Sequence, residues 1–287
     1  MNYKKLLIII TSFIIFSSWI NNIYYENDLQ KLKLRGNVKK IQKRAYQIGI
    51  NYGELEKIEP ISKITIEPFF EDFFRDLHFN KNGNIIKSIM LDSKNRKIGE
   101  RNIIYDNNNR IIKEIYNSVI TRRITYSDSD KKSIEINPDG EKIISYYENN
   151  NIIKQEYYRK NKLVQRIFID YNDGNKKITE KKFTSIKDGL LTSHFVYKYD
   201  KTNNLVTKID SIKKTNLNLA KITDYKYNEF GDVVEINYPN EEFNGILRQN
   251  YSYKYDTQNN WIERIEYNGS GTHKTPVILT ERIIEYY

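Results

Sequence analysis

Polar and apolar residues alternate with a period of two along most of this chain. In Tyr197-Lys-Tyr199, Tyr225-Lys-Tyr227 and Tyr253-Lys-Tyr255 both rings fall on one face of an extended segment and the lysine on the other. Asp200, Asn228 or Asp256 follows at once and opens a polar stretch, whose side chain can accept a backbone hydrogen bond two residues on. Asn or Gly comes next, residues that tolerate positive φ. An apolar residue then restarts the pattern, as in Leu205-Val-Thr-Lys-Ile209 and Trp261-Ile-Glu-Arg-Ile265. Such a sequence predicts β-hairpins joined by short turns.

The three Tyr-Lys-Tyr copies recur 28 residues apart, and looser copies lie upstream at Phe79–Ile85, Tyr105–Ile111, Tyr147–Ile152 and Tyr171–Lys176. Repetition of this kind predicts an all-β, antiparallel meander of repeated hairpins forming a twisted or curled sheet over residues 26–287. Helical signals are weak beyond a turn or two in residues 26–35. A strand is expected from Val38 to Tyr46, then a longer loop between Ile48 and Glu67, and wider connections at 211–220 and 239–250.

The N-terminus breaks the pattern. Lys4 and Lys5 precede a continuous apolar run, Leu6 to Ile20, which predicts a leader helix within residues 1–25. The run is short for a membrane span of roughly 17–25 residues. Cleavage after Ser18 would put bulky Phe16 at the minus-three position, so the leader is either a signal peptide or an uncleaved anchor. Both imply export, to the periplasm or cell surface.

The Tyr-Asp units resemble the YD repeats of the Rhs family, whose pattern is roughly Y-D, two residues, then G-[NR]-L. Tyr105-Asp106 with Arg110-Ile111 fits, with Asn109 in place of Gly, and Tyr199-Asp200 with Asn204-Leu205 and Tyr255-Asp256 with Asn260-Trp261 fit similarly. Leu34–Ile41 and Arg282–Tyr287 look like the two ends of small exported proteins built from a few such units. The resemblance spans about residues 34–287 and implies an envelope protein. The chain is far shorter than the toxin-encapsulating shell of true Rhs proteins, which disfavours a toxin.

Composition removes several chemistries. There is no Cys, so disulfides, thiol nucleophiles and an acylated lipoprotein cysteine are excluded. The net charge of +10 is spread among Glu and Asp rather than gathered in a block, which argues for a solvated mixed surface and no nucleic-acid partner. His78, His194 and His273 form no HExxH motif, and no G-x-S-x-G elbow or phosphate loop occurs. Asp106–Asn109 and Asp128-Ser-Asp130 offer oxygen ligands for calcium, but turn chemistry already accounts for them. Glu71-Asp72 and Glu241-Glu242 are adjacent acids, which strand geometry turns to opposite faces.

The expectation is a non-enzymatic exported protein, without cofactor or metal, that binds or scaffolds a protein or glycan partner. A carbohydrate-binding or adhesion module is the alternative, with a glycan-active enzyme using cross-strand carboxylates behind it. Trp261, Tyr197, Tyr225 and Tyr253 are the candidate partner-binding residues, since rings on a sheet face stack on sugars or meet proteins. Packing across strands is the competing role for the same rings.

Overall fold

The computed structural model describes residues 27–61, 75–129, 131–172, 176–184, 191–202, 204–214, 217–240, 245–270 and 273–287. The leader, Glu71-Asp72, Asp130, Glu241-Glu242 and Gly271 lie outside these residues. A short helix, α1 (Asp28–Lys31), precedes nineteen strands. They are β1 (Val38–Asn51), β2 (Glu54–Pro60), β3 (Arg75–Phe79), β4 (Ile85–Leu91), β5 (Lys97–Tyr105) and β6 (Ile111–Tyr116). Next come β7 (Val119–Ser127), β8 (Lys132–Ile136), β9 (Lys142–Glu148), β10 (Asn151–Arg159), β11 (Lys162–Tyr171), β12 (Lys177–Thr184) and β13 (Leu191–Tyr199). The last six are β14 (Leu205–Lys214), β15 (Leu217–Tyr227), β16 (Val233–Asn240), β17 (Gly245–Tyr255), β18 (Trp261–Ser270) and β19 (His273–Tyr286).

From β3 to β19 each strand pairs antiparallel with the next, and β1 pairs with β2, with β3 and, from Val38↔Tyr286 to Gln47↔Ile278, with β19. The sheet is therefore closed. This corrects the open twisted or curled sheet expected from the sequence, because the pairing of the first strand with the last joins the two edges that an open meander would leave. β2 and β3 lie end to end along one side of β1, so nineteen strands fill eighteen places in the barrel. The loop expected between Ile48 and Glu67 is partly strand, since β1 runs on to Asn51 and turns through Tyr52-Gly53 into β2. The wide connections expected at 211–220 and 239–250 are likewise mostly strand, in β14, β15, β16 and β17.

Local chemistry explains the hairpins. At Asp256 the side-chain Oδ1 accepts from the backbone N–H groups of Gln258 and Asn260, both at 2.9 Å. Asn259 then sits at φ 60°. Asp106 and Asn228 repeat this arrangement, with Asn109 at φ 59° and Gly231 at φ 80° as the left-handed residues. Just past each such turn the register shifts by one residue, as between Lys254 and Tyr255. Such bulges bend and twist the strands at a barrel rim. Several remaining turns are two-residue loops with both residues at positive φ, such as Asn149-Asn150 and Lys160-Asn161.

All the five-residue turns that follow a Tyr or Phe lie at one end of the barrel, because the intervening hairpins return the chain each time. Here the tyrosine before each turn reaches back to the previous unit. The hydroxyl of Tyr227 donates to the carbonyl of Leu205 at 2.6 Å, that of Tyr199 to Lys177 at 2.7 Å, and that of Tyr105 to Ile85 at 2.8 Å. In every case the acceptor is the residue that restarts the chain after the preceding turn. Tyr287 closes the circle by donating to the carbonyl of Phe79 at 2.6 Å. The Tyr-Asp pair thus has two jobs, in which Asp shapes its own turn and Tyr binds its unit to the one before.

Tyr227→Phe should cost about 0.5–1.5 kcal/mol, the net worth of one such bond. Tyr171→Phe, which removes a hydroxyl donating to Ile152, should add to it because the sites lie in separate units. Urea unfolding of both single variants and the double variant checks this.

Candidate functional site

The N-terminal segment identifies the inside of the barrel. Asn27 Nδ2 donates to Asn82 O at 2.8 Å, and the Leu29 N–H donates to Gly83 O, both in the β3–β4 turn. Lys33 Nζ donates to Asn204 Oδ1 at 3.0 Å and to Gly231 O at 2.8 Å. Arg35 donates to Asn259 O, Phe230 O and, through its backbone, Asn260 Oδ1. These partners belong to turns on well-separated parts of the ring, so residues 27–36 lie across one mouth. Leu29 packs there with Val38, Ile41 and Phe79 in the largest apolar cluster, against which Leu77, Ile85 and Tyr286 also lie. The face carrying Ile41 and Leu77 is therefore the inner one, and Lys40, Gln42 and Arg44 point outward.

Following the register around the ring gives the two faces different characters. On the inner face Arg101 and Arg122 both bond Glu114 Oε1, at 2.8 and 2.9 Å, and Arg122 continues to Glu135 at 2.7 Å. Tyrosines fill much of the rest. The outer face carries charged pairs, some at mid-strand and some near the rim. Arg44 meets Asp76 at 2.8 Å, Lys87 meets Glu100 at 3.1 Å, Lys226 meets Glu235 at 2.9 Å and Lys254 meets Glu263 at 2.8 Å. Lys154 and Arg166 both hold Glu156, onto which Tyr146 and Tyr158 also donate at 3.0 Å.

Burial pushes the Glu156 carboxyl upward, but these hydrogen bonds outweigh it and hold it at about 2, against an ordinary 4.5. A carboxyl depressed on folding stabilises the fold above its unfolded value and ceases to do so as pH falls through its folded one. The barrel should therefore lose stability between about pH 4.5 and pH 2. Glu156→Gln should flatten that slope in thermal melts taken across the interval.

One groove of 390 Å³ lies on the outer wall, lined by Gln42, Arg44, Tyr46, Ile262, Glu263 and Glu281 among others. Glu263 and Glu281 are direct register partners there. Each is held by a lysine at 2.8 Å, Glu263 by Lys254 and Glu281 by Lys57. Lys57 also covers the Tyr46 ring, its Nζ 4.5 Å from the centroid. No sequence signal marks this pair, since the two acids lie eighteen residues apart on consecutive strands and meet only through the β18–β19 register.

The register places all four candidate binding residues on the inner face, packed among its side chains. Trp261 is 7% exposed; its ring lies 3.2 Å from the Arg282 guanidinium and packs edge-on against Tyr253. Tyr253 donates to Val233 O at 2.6 Å, and burial pushes its hydroxyl well above the usual phenol range. Tyr197 stacks on Phe195 with Lys177 over its ring, and burial raises its hydroxyl too. Tyr225 is half-buried and shifted in the same direction by the same cause. Two histidines, His78 and His194, stand on the outer face, and burial first, then Lys40, lowers His78. Among the described residues there is no cluster of His, Asp or Glu that could hold a metal ion, and no helix long and apolar enough to cross a membrane.

No family model matches the chain, and no curated protein matches it. Among solved structures, a porin-like protein from Bacteroides uniformis is 9% identical, with a TM-score of 0.47 over 86% of this chain and 98% of that one. A porin-like protein from Bacteroides vulgatus is 10% identical, with a TM-score of 0.40 over 68% of this chain and 95% of that one. The Tc holotoxin pore of Photorhabdus luminescens is 10% identical, with a TM-score of 0.36 over 83% of this chain and 14% of its own. Likenesses this distant define neither a family nor an activity. The class that the chain's own geometry defines is a closed, antiparallel, eighteen-place β-barrel with its N-terminal segment lying across one mouth.

Proposed function

We propose that this chain is an exported, non-enzymatic barrel of the cell envelope that stands in water and serves as a scaffold or binding body for a partner. One observation carries the reading: the outer wall carries charged groups at mid-strand, including Arg44–Asp76, Lys87–Glu100 and Glu156 with Lys154 and Arg166. A lipid-facing barrel needs an apolar band about 25 Å tall, and a Lys or Arg at the bilayer midplane costs about 2–4 kcal/mol. Several strands would incur that penalty here, whereas in water the same pairs are solvated at little cost.

The non-enzymatic part is supported by how the polar groups are used. The Tyr and Asp side chains that recur in unit after unit are engaged in turns and inter-unit bonds, as with Asp256 and Tyr227. Membership among YD-repeat proteins belongs to the same proposal and is supported by the recurring turn, left-handed Asn or Gly, and tyrosine bond. A glycan-active enzyme is the second reading, favoured by the paired Glu263 and Glu281 in the groove.

Two measurements test this. Residues 27–287 should remain monodisperse in detergent-free buffer, and a requirement for detergent would contradict a water-facing wall. Hydrolysis of any glycan by the wild type that Glu263→Gln abolishes would establish the second reading instead.

A further inference from the structure

We infer that β2 is a docking edge, on which an extended, basic segment of a partner protein adds as a further strand. This names the kind of partner for the scaffold proposed above and rests on that reading. β1 leaves β19 after Gln47↔Ile278 and runs on to Asn51 alongside β2. Tyr52 and Gly53, both at positive φ, close this ribbon as a two-residue turn. Among the described residues β2 pairs with β1 alone, and all seven of its residues are exposed. Ring closure joins the two long edges of the sheet and leaves this short one.

The hydrogen-bond phase of the ribbon decides which groups are free. In a two-residue hairpin the closing pair, here Asn51 and Glu54, exchanges both backbone bonds, and bonded pairs alternate from there. Gly49 and Glu56 are the next bonded pair. The N–H and C=O groups of Leu55 and Lys57 therefore point away from β1, into the open edge. Such a row of unpaired groups is a template for an added strand, with side chains on its two faces supplying specificity.

Side-chain chemistry selects the occupant. In a chain of net charge +10, this strand carries Glu54, Glu56 and Glu59 against Lys57, and Lys57 is held by Glu281 at 2.8 Å. Glu54 and Glu56 lie on one face of the ribbon. Leu55 and its register partner Ile50, both exposed, lie on the other, and the exposed Tyr52 ring stands at the tip. A strand that alternates Lys or Arg with apolar residues meets both faces. A second copy of this chain does not. Each two-fold antiparallel register that uses the free groups of Leu55 and Lys57 sets Glu56 against Glu56, Glu54 against Glu56, or Lys57 against Lys57. Like charges directly opposite are destabilising.

The probe is a fluorescein-labelled peptide of alternating lysine and valine, whose binding to the full chain is followed by fluorescence anisotropy at physiological salt. One comparison peptide alternates glutamate and valine. The other is the lysine peptide with every backbone amide N-methylated, which keeps the charge and removes the donors. The lysine peptide should bind several-fold more tightly than either. Leu55→Pro removes an N–H of the free edge without touching a bond to β1, so it should weaken binding about tenfold, the worth of roughly one hydrogen bond, and leave urea unfolding unchanged. Glu54→Lys combined with Glu56→Lys should turn the preference toward the glutamate peptide. Absence of binding, or equal binding of the methylated peptide, or wild-type affinity in Leu55→Pro, would overturn the docking edge. A wild-type dimer in sedimentation that Leu55→Pro dissolves would make the occupant a second copy and overturn the basic partner. Monodispersity without detergent is a separate measurement, so the water-facing wall stands or falls independently of these results.

Discussion

Trp261→Ala should lower the unfolding free energy by about 3–5 kcal/mol, the range for removing a buried large aromatic ring. The indole is 7% exposed and fills the space between the Tyr253 ring and two guanidinium groups, Arg282 at 3.2 Å and Arg264 at 5.4 Å from its centroid. Truncation leaves a cavity on the inner face and also removes two cation–π contacts, each worth about 0.5–2 kcal/mol according to its desolvation. Trp261→Phe should recover part of the loss because it keeps a ring. Urea denaturation followed by far-UV circular dichroism reads both variants. A Trp261→Ala protein of unchanged stability that no longer binds a glycan or protein ligand would make this ring a recognition residue.

Gly83→Ala should release the N-terminal segment from the mouth it lies across. Gly83 sits at φ +80°, where an L side chain costs about 1–2 kcal/mol. A Cβ there would lie 2.6 Å from Asn27 Nδ2, 2.9 Å from Asn27 Cγ and 3.1 Å from Leu29 Cδ1. The turn and the N-terminal segment cannot both stay in place, and expelling the segment would expose Leu29, with a further loss of about 1.5–3 kcal/mol. Limited proteolysis at Lys31 and Lys33 should become many times faster in the variant while the hairpin repeats resist. Gly140→Ala serves as the control: it imposes similar strain, at φ +79°, but its Cβ would meet nothing within 4 Å. Equal protease sensitivity in both variants would show that strain alone acts.

The units legible in the sequence are those whose chemistry closes within five residues. Asp256 and Asn260, or Asn228 and Asp232, form a turn whatever the rest of the chain does, so the hairpins follow from local pattern. The role of the tyrosines was half legible. Alternation places Tyr225 and Tyr227 on one face, but only the ring shows that this face is the inner one and that Tyr227 reaches Leu205. The closure was not legible. Val38–Gln47 and Ile278–Tyr286 are more than two hundred residues apart, and an apolar alternation in each does not say that these two edges meet. Residues 211–220 read as a connection because Lys213, Lys214, Asn216 and Asn218 interrupt the alternation, yet β14 and β15 pair as far as Lys214↔Leu217. The Glu263–Glu281 pair escaped for a more local reason, since the bulge between Glu266 and Tyr267 sets which residues of the β18–β19 hairpin face each other.

The closed ring is the claim on which the rest depends, and a single cross-link reads it. Ala45 and Thr280 are register partners across the β1–β19 seam, both fully buried on the inner face. Cross-strand partners have Cα atoms about 4.5–5.5 Å apart, inside the roughly 4.4–6.8 Å span of a disulfide. In a chain without other cysteines, Ala45→Cys with Thr280→Cys should oxidise to an intramolecular disulfide in the folded protein, read as a mass loss of two hydrogens and a faster non-reducing gel mobility. An open sheet would hold β1 and β19 at opposite edges, and the two thiols would then remain free to alkylating reagent in the folded chain, which would contradict the barrel.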